Sequence, residues 1–194
     1  MEFIIATNNN GKLKDFKKIL SQYGHTAISL KEAGICASPE ENGKTFSENA
    51  YIKAKAIYDI AKKPVIADDS GLSVDALSGE PGIYSARYGG EGLTDYDRCV
   101  YLLNNLKDIP QENRGGAFKC ALCAIISDTL KYEAEGEVRG TILTELKGEN
   151  GFGYDPLFYV DEFKKTFGEL SLEEKNLISH RFRALKALVN KMVV

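Results

Sequence analysis

A polar loop near the start of the sequence carries groups that suit phosphate binding. Residues 7–12 (TNNNGK) follow an apolar run and precede an amphipathic segment. This order predicts backbone N–H groups at a helix N-terminus, a flexible glycine and one lysine, which together can hold a polyphosphate. An ordinary turn has the same composition. The loop is not a Walker A motif, because Leu13 stands where Ser or Thr is required.

Two acidic pairs suit a divalent cation. Asp68 and Asp69 directly follow the apolar run at residues 65–67. Because neighbouring side chains of an extended segment point to opposite faces, one carboxylate is expected to bind a cation while the other orients its neighbours. Mg²⁺ usually takes only one or two protein carboxylates, so Glu40 or Glu41 could complete the site. The alternative interpretation is that all four are solvated loop acids or helix-cap charges.

A lysine on a predicted helix could reach an anionic ligand. Thr45 and Glu48 match a capping box that opens this helix, and Asn49 and Lys53 lie four residues apart on one face. That face borders the apolar stripe, which places Lys53 within reach of an anionic site. A surface lysine beside an asparagine is the alternative.

An aromatic residue between two glycines suits a nucleobase. In residues 151–156 (GFGYDP), Phe152 can stack on a base and Asp155 can accept a hydrogen bond from a ring N–H. His180 and Arg181 can donate to an exocyclic carbonyl oxygen. The alternative is a tight turn with Phe152 in the core, followed by a capping histidine and a solvated arginine.

The elements that must position these residues alternate between strand and helix, which predicts an α/β fold. The carboxyl end of the strand at residues 65–67 is where such folds usually bind ligands. The predicted elements are a strand at 3–7, a helix at about 12–23, a helix from Thr45 that stops before Pro64, the strand at 65–67, a helix from Thr94 to about Leu106, an antiparallel pair at 118–126 and 132–142, a helical turn opened by Ser171, and a last helix capped by Ser179.

Size and charge restrict the class of protein. The 194 residues, of which 43% are hydrophobic, predict a single domain over 1–194. A net charge of −3 without a basic cluster argues against nucleic-acid and membrane partners. The sequence contains neither a signal-like segment nor an apolar run of membrane-spanning length, so a cytoplasmic protein is expected. Cys120 and Cys123 are expected on opposite faces of a strand, as reduced structural thiols.

Together, these segments closely resemble the inosine triphosphate pyrophosphatase family. The resemblance covers nearly the whole chain and rests on several motifs in the same order. They are residues 7–12 (TNNNGK), 45–50 (TFSENA), 67–72 (ADDSGL), 81–88 (PGIYSARY), 151–156 (GFGYDP) and 179–181 (SHR). It implies a long mixed central sheet with helices on two lobes, an active-site cleft between the lobes, and a homodimer.

The resemblance also implies a role for each site residue. Asp69 would be the proton acceptor and a magnesium ligand, with Lys53 close to the phosphates, and the second acidic ligand would be either Glu40 or Glu41. The phosphates would be held by Thr7, Asn8, Asn9, Asn10, Gly11, Lys12 and Ser70. The base pocket would consist of Phe152, Gly153, Tyr154, Asp155, Lys175, His180 and Arg181.

The expected reaction is hydrolysis of ITP, dITP or XTP to the monophosphate and pyrophosphate, which keeps these purines out of nucleic acid. Water would attack the α-phosphorus, with Mg²⁺ as the cofactor. Two alternatives remain at this point: a related pyrophosphatase for modified pyrimidine or methylated nucleotides, and a catalytically silent nucleotide sensor. Substrate profiling separates the first, and binding of ITP without pyrophosphate release would indicate the second.

Overall fold

A computed structural model describes residues 1–192. Within these residues, strands form one mixed sheet in the order β2-β1-β3-β4-β5-β6-β7, and the predicted α/β fold is confirmed. The strands are β1 (Glu2–Ile5), β2 (Thr26–Ser29), β3 (Val65–Val74), β4 (Gly115–Ser127), β5 (Leu130–Ile142), β6 (Phe158–Val160) and β7 (Lys165–Thr166). The α-helices are α1 (Asn10–Ser21), α2 (Phe46–Ala61), α3 (Asp95–Asn105), α4 (Leu172–Ile178) and α5 (His180–Met192).

The chain folds into two compact units, each assembled from separate stretches. The first unit comprises Met1–Asp69, Cys120–Gly136 and the residues from His180 onward, and the second comprises Ser70–Lys119 and Glu137–Ser179. Since the stretches alternate along the sequence, no single cut would separate the units. The prediction of one domain over 1–194 stays a prediction.

The core of the first unit lies on both faces of its strands. Cys120 of β4 belongs to a buried cluster with apolar side chains of α1 and α5, whereas Cys123 belongs to another with apolar side chains of α2. The predicted opposite orientation of the two cysteines is therefore confirmed. Burial raises the pKa of both thiols, that of Cys123 to about 12, which makes them unreactive packing groups at neutral pH.

The core of the second unit is one cluster rich in aromatic rings. The ring centroids of Phe118 and Phe158 lie 4.6 Å apart, and those of Phe158 and Phe167 lie 5.1 Å apart. Leu102 of α3 and Leu157 belong to the same cluster and are fully buried. Tyr154 and Leu157 belong to this cluster, which joins the segment at residues 151–157 to the core of the unit.

Strand β3 is longer than predicted. It continues to Val74, so Asp68 and Asp69 lie inside a strand rather than after its end. The parallel ladder with β1 stops early, with partners only at Ile4↔Val65 and Ile5↔Ile66. Both aspartates therefore lie beyond the last residue of β1, at the carboxyl end of the parallel part of the sheet, and β4 remains as a neighbour of the extended chain.

Other boundaries differ from the predictions by a few residues. Helix α1 begins at Asn10 rather than at Lys12. The prediction contained neither β2 nor the short strands β6 and β7, whose two to four residues leave little periodic pattern. The helices that Thr45, Thr94 and Ser171 open are confirmed, as each of these side chains accepts a hydrogen bond from the backbone N–H three residues later. Over residues 1–192, no helix is long and apolar enough to cross a membrane.

Candidate active site

Residues 7–12, which were predicted to bind phosphate, lead into helix α1, and the last three of them form its first turn. Asn9 is the N-cap, and its Oδ1 accepts a hydrogen bond from the Lys12 N–H at 3.0 Å. Thr7 Oγ1 in turn accepts from the Asn9 N–H at 3.1 Å. Gly11 is therefore a helical residue rather than a flexible loop glycine, because capping at Asn9 starts the helix one residue before it. The first N–H groups of a helix have no carbonyl partner within the helix and can bind an anion. In this protein the same turn also carries Lys12.

The partly buried Lys12 of this segment joins a network of three buried charged side chains, those of Asp15, Asp68 and Arg181. Lys12 Nζ lies 2.9 Å from Asp68 Oδ2, and Arg181 Nε lies 3.7 Å from the same oxygen. Arg181 Nη1 also contacts Asp15 Oδ2 at 2.6 Å. Burial alone would raise the pKa of Asp68, but Lys12 and Arg181 outweigh it and hold that pKa well below its usual range. Asp68 is therefore an ionised structural anion that holds Lys12 in place.

Asp69 faces a different set of groups, as expected for the next residue of a strand. Its Oδ2 accepts a hydrogen bond from Asn49 Nδ2 at 3.0 Å, and its Oδ1 lies 3.9 Å from Lys53 Nζ. Lys53 Nζ also lies 3.1 Å from Glu41 Oε1. Burial raises the pKa of Asp69, an effect that Lys53 and Asn49 partly oppose. A raised pKa brings a carboxylate closer to the range of a useful general base.

The Asp69 cluster fits a hard divalent cation. Glu41 and Asp69 both approach Lys53, which brings two carboxylates to one place, whereas the side chain of Glu40 is exposed. Among residues 1–192, no group of three or more His, Cys, Asp and Glu side chains is arranged to hold a metal by itself. Two carboxylates completed by waters and phosphate oxygens are the set that Mg²⁺ prefers.

The aromatic segment of the second unit is a tightly held loop. Asp155 Oδ2 accepts from the Phe152 N–H at 2.8 Å and contacts Lys175 Nζ at 2.6 Å. Lys175 Nζ also lies 4.8 Å from the centre of the Phe152 ring, within cation–π range. Gly151 has φ +80°, and a Cβ there would lie 2.0 Å from Asp155 Oδ2, so only glycine fits. The half-buried Phe152 ring is thus held by a buried ion pair rather than inserted in the core.

The next two residues anchor the loop to other parts of the second unit. The Gly153 N–H donates to Asp95 Oδ2 at 2.8 Å, and the buried Tyr154 hydroxyl donates to the Ser85 carbonyl oxygen at 2.8 Å. Burial raises the pKa of Tyr154, which stays protonated as this donor. Tyr154 is therefore a structural anchor in this unit.

The predicted residues fall into both units. The loop at residues 7–12, Glu41, Lys53, Asp69, His180 and Arg181 belong to the first unit, and Ser70, Phe152, Gly153, Tyr154, Asp155 and Lys175 belong to the second. His180 and Arg181 are buried in the first turn of α5. Gly136 of β5 packs so closely on this turn that a Cβ would lie 2.3 Å from the His180 carbonyl oxygen. Ser70 is half-buried, directly after Asp69 in β3.

Sequence reasoning missed two buried polar residues of the first unit. Asp15 lies on the apolar stripe of α1 beside Phe16 and Ile19, and it pairs with Arg181. Asn49 was noted only as a neighbour of Lys53, yet it bonds directly to Asp69. Both could have been found by one signal: a polar residue on the buried face of a helix requires a partner.

Comparison with known proteins gives the family of this chain. The Ham1 family model matches residues 3–191. The chain is 50% identical over 187 residues to the dITP/XTP pyrophosphatase of Bacillus subtilis, covering 96% of this chain and 94% of that protein. It is 47% identical over 186 residues to the dITP/XTP pyrophosphatase of Desulforamulus reducens, covering 96% and 92%.

Solved structures give the same result. The Staphylococcus aureus Ham1 protein superposes with a TM-score of 0.86 at 44% identity, covering 99% of this chain and 98% of that one. A HAM1 protein from Coxiella burnetii superposes with a TM-score of 0.88 at 36% identity, covering 100% and 98%. Sequence and fold therefore agree over almost the whole length, and the chain belongs to the Ham1 family.

Proposed function

We propose that this protein hydrolyses dITP, XTP and ITP to the nucleoside monophosphate and pyrophosphate, and so keeps these purines out of nucleic acid. The observation that carries the proposal is the buried Asp69 carboxylate, which faces Lys53 and Glu41 in a chain that is 50% identical to a dITP/XTP pyrophosphatase. A sensor without catalysis needs no such carboxylate of raised pKa.

Mg²⁺ is the proposed cofactor, and Glu41 and Asp69 are its proposed protein ligands. When bound, it would supply charge neutralisation at the phosphate oxygens. Glu41 and Asp69 place two carboxylates beside the ammonium group of Lys53. This excess of negative charge would repel a triphosphate, and a divalent cation reverses it.

Each charged residue of the first unit has a different proposed role in the reaction. Lys12 and the N-terminus of α1 hold the triphosphate, and Lys53 adds positive charge beside the reacting phosphate. Asp69 accepts the proton of the attacking water as the water oxygen bonds to the α-phosphorus, and pyrophosphate leaves with the electrons of the broken P–O bond. Asp68 takes no proton, because its depressed pKa keeps it ionised at any working pH.

Base selection is assigned to Phe152, which belongs to the second unit, and to His180 and Arg181, which belong to the first. Phe152 provides a stacking surface that tolerates any purine, so the discrimination must come from hydrogen bonds. We propose that His180 and Arg181 donate to the 6-oxo oxygen of hypoxanthine and xanthine. Adenine offers a 6-amino donor at this position, which cannot accept a hydrogen bond from these groups and therefore costs affinity.

One panel tests the proposal. Pyrophosphate release is measured from dITP, XTP, ITP, GTP and ATP, each with Mg²⁺ and with EDTA. We expect rapid release from the first three with Mg²⁺, little from ATP, and loss of activity in EDTA. Equal rates on ATP and ITP would contradict the base assignment, and full activity in EDTA would contradict the metal assignment.

A homodimer in the cytoplasm is proposed as well. Tyr84, Tyr96 and Tyr101 of the second unit are exposed, and protein interfaces are enriched in such aromatic residues. Light scattering after gel filtration is expected to give twice the chain mass of 21.4 kDa. A monomer at micromolar concentration would contradict the dimer, and recovery in the membrane or secreted fraction would contradict the location.

A further inference from the structure

A buried amide links Asp69 to the chain segment that follows Glu41. Asn49 is 1% exposed, on the inner face of α2. Its Nδ2 donates to Asp69 Oδ2 at 3.0 Å, while its Oδ1 accepts from the Gly43 N–H at 2.8 Å. Since a carboxylate can only accept and an N–H can only donate, these partners determine which end of the amide faces which neighbour.

The Gly43 contact extends this control to Glu41. Gly43 lies two residues after Glu41 in the sequence. The bond from its N–H to Asn49 therefore holds the segment that contains Glu41 close to α2. A Cβ at position 43 would lie 2.7 Å from Asn49 Oδ1 and 2.8 Å from Glu48 Cβ, which means that only glycine permits this approach. A second bond, from the Lys44 N–H to Glu48 Oε2 at 2.6 Å, holds the same segment against the helix.

The hydrogen bond to Asp69 also orients its carboxylate. Asn49 restrains Oδ2, so that Oδ1 faces Lys53 at 3.9 Å, on the side where Glu41 lies 3.1 Å from the same ammonium group. Asparagine is a poor helix former, and burial of an amide is unfavourable unless its hydrogen bonds are made. Alanine would favour the helix more than Asn49 does but could make neither hydrogen bond. The presence of asparagine here therefore indicates that the two hydrogen bonds have a function.

We propose that Asn49 is a positioning residue that sets the placement of Asp69 relative to Glu41 through the two ends of its amide. The inference rests on the proposed function, in which these two carboxylates hold the cation. In this role Asn49 acts through Asp69 and Glu41 rather than on the substrate. It acts by keeping both ligands preorganised, the role of groups that hydrogen-bond to metal ligands in other sites.

The test uses the full chain with Asn49→Ala and Asn49→Asp. The matched control is Ser47→Ala, which removes an exposed hydrogen bond to Glu135 from the same end of α2. Mn²⁺ binding without nucleotide is followed by electron paramagnetic resonance, and kcat and KM for dITP are measured with Mg²⁺. For Asn49→Ala we expect a loss of about 10- to 100-fold in both Mn²⁺ affinity and kcat, as for other residues behind metal ligands, with KM changed less than about threefold.

The two substitutions are expected to differ in size. Asn49→Asp places a second carboxylate against Asp69 Oδ2, so it should lower kcat further than Asn49→Ala. Ser47→Ala should match the wild type in kcat and Mn²⁺ affinity. If folded Asn49→Ala keeps wild-type Mn²⁺ affinity and kcat, the proposal is wrong.

A second variant keeps the test decisive if Asn49→Ala fails to fold. Gly43→Ala would place a Cβ 2.7 Å from Asn49 Oδ1 and should therefore break the bond between Gly43 and the Asn49 amide, so a weaker Mn²⁺ affinity is again expected. Wild-type behaviour of Gly43→Ala would overturn the proposal. Failure of the proposed function looks different, because the wild-type enzyme itself would then release no pyrophosphate from dITP, XTP or ITP.

Discussion

The charged cluster around Asp68 and Asp69 in the first unit and the Phe152 loop in the second unit are held together by different interactions. In the first, buried ionised groups from distant parts of the sequence, such as Asp15 and Arg181, compensate one another. In the second, glycines with positive φ and a backbone-to-carboxylate hydrogen bond shape one continuous segment. The ion pair between Asp155 and Lys175 attaches this segment to α4. The difference suits the proposed ligands, since a phosphate is bound by fixed charges whereas a base stacks on a flat surface.

If this contrast holds, removal of a charge from the first unit should have the largest effect on stability. Asp68→Asn leaves Lys12 and Arg181 without their shared buried anion, so we expect a loss of about 3–5 kcal/mol in the free energy of unfolding, measured with urea at pH 7. The control is Asp161→Asn, whose exposed pair with Lys164 should contribute at most about 1 kcal/mol. Equal effects of the two variants would contradict the contrast.

The pH dependence of the Asp68→Asn effect has a definite sign. The pKa of Asp68 is lower in the folded than in the unfolded protein, so its stabilising contribution is fully present above the unfolded value of about 3.9 and is lost as the pH falls through the lower folded value. The difference between wild type and Asp68→Asn should therefore be constant from pH 7 to about pH 5 and narrow below about pH 4. A difference that widens toward low pH would contradict this assignment.

Substitution of Asp69, the residue next to Asp68, should lower catalytic activity rather than stability. For Asp69→Asn, which keeps the size of the side chain, we expect kcat to fall by at least about 10²-fold, because both a base and a cation ligand are lost. Pyrophosphate release from dITP at saturating substrate is the measurement. Asp59→Asn, an exposed change on α2, serves as the control. Near-normal turnover by Asp69→Asn would rule out its role as the base.

In the second unit, loss of an aromatic ring should weaken binding and leave the chemistry largely intact. Phe152→Ala removes the proposed stacking surface, worth about 1–3 kcal/mol, which corresponds to a rise of about 5- to 150-fold in KM for dITP. Leu177→Ala, which truncates an exposed apolar residue of α4, should leave KM unchanged. If Phe152→Ala lowers kcat with an unchanged KM, the two regions do not divide the work as inferred.

The smallest effect is expected from a helix cap. Ser171 accepts from the Glu174 N–H at 3.2 Å and opens α4, which carries Lys175. Ser171→Ala should lower the free energy of unfolding by about 1 kcal/mol, with activity within about twofold of wild type, since the Asp155–Lys175 pair remains. Urea unfolding and a steady-state assay measure the two quantities, and a loss of activity beyond tenfold would show that the loop depends on the helix more than its contacts imply.

Much of the local structure could be predicted because its causes are local. The caps at Thr45, Thr94 and Ser171 and the alternation of Cys120 and Cys123 follow from contacts or directions only a few residues apart. The length of β3 could not, because its continuation past Asp69 depends on a neighbouring strand that lies far away in the sequence.

The sequence by itself determined the α/β order, the starts of the helices that Thr45, Thr94 and Ser171 cap, and the acidic pair whose side chains diverge. Only the tertiary structure decided that Glu41 rather than Glu40 approaches Lys53, that Arg181 faces Asp15 and Asp68, and that Asn49 bonds to Asp69. The physical reason is that backbone periodicity is a short-range property. The partner of a buried charge or amide is selected by whatever the fold brings within about 3 Å, and sequence spacing contains no such distance.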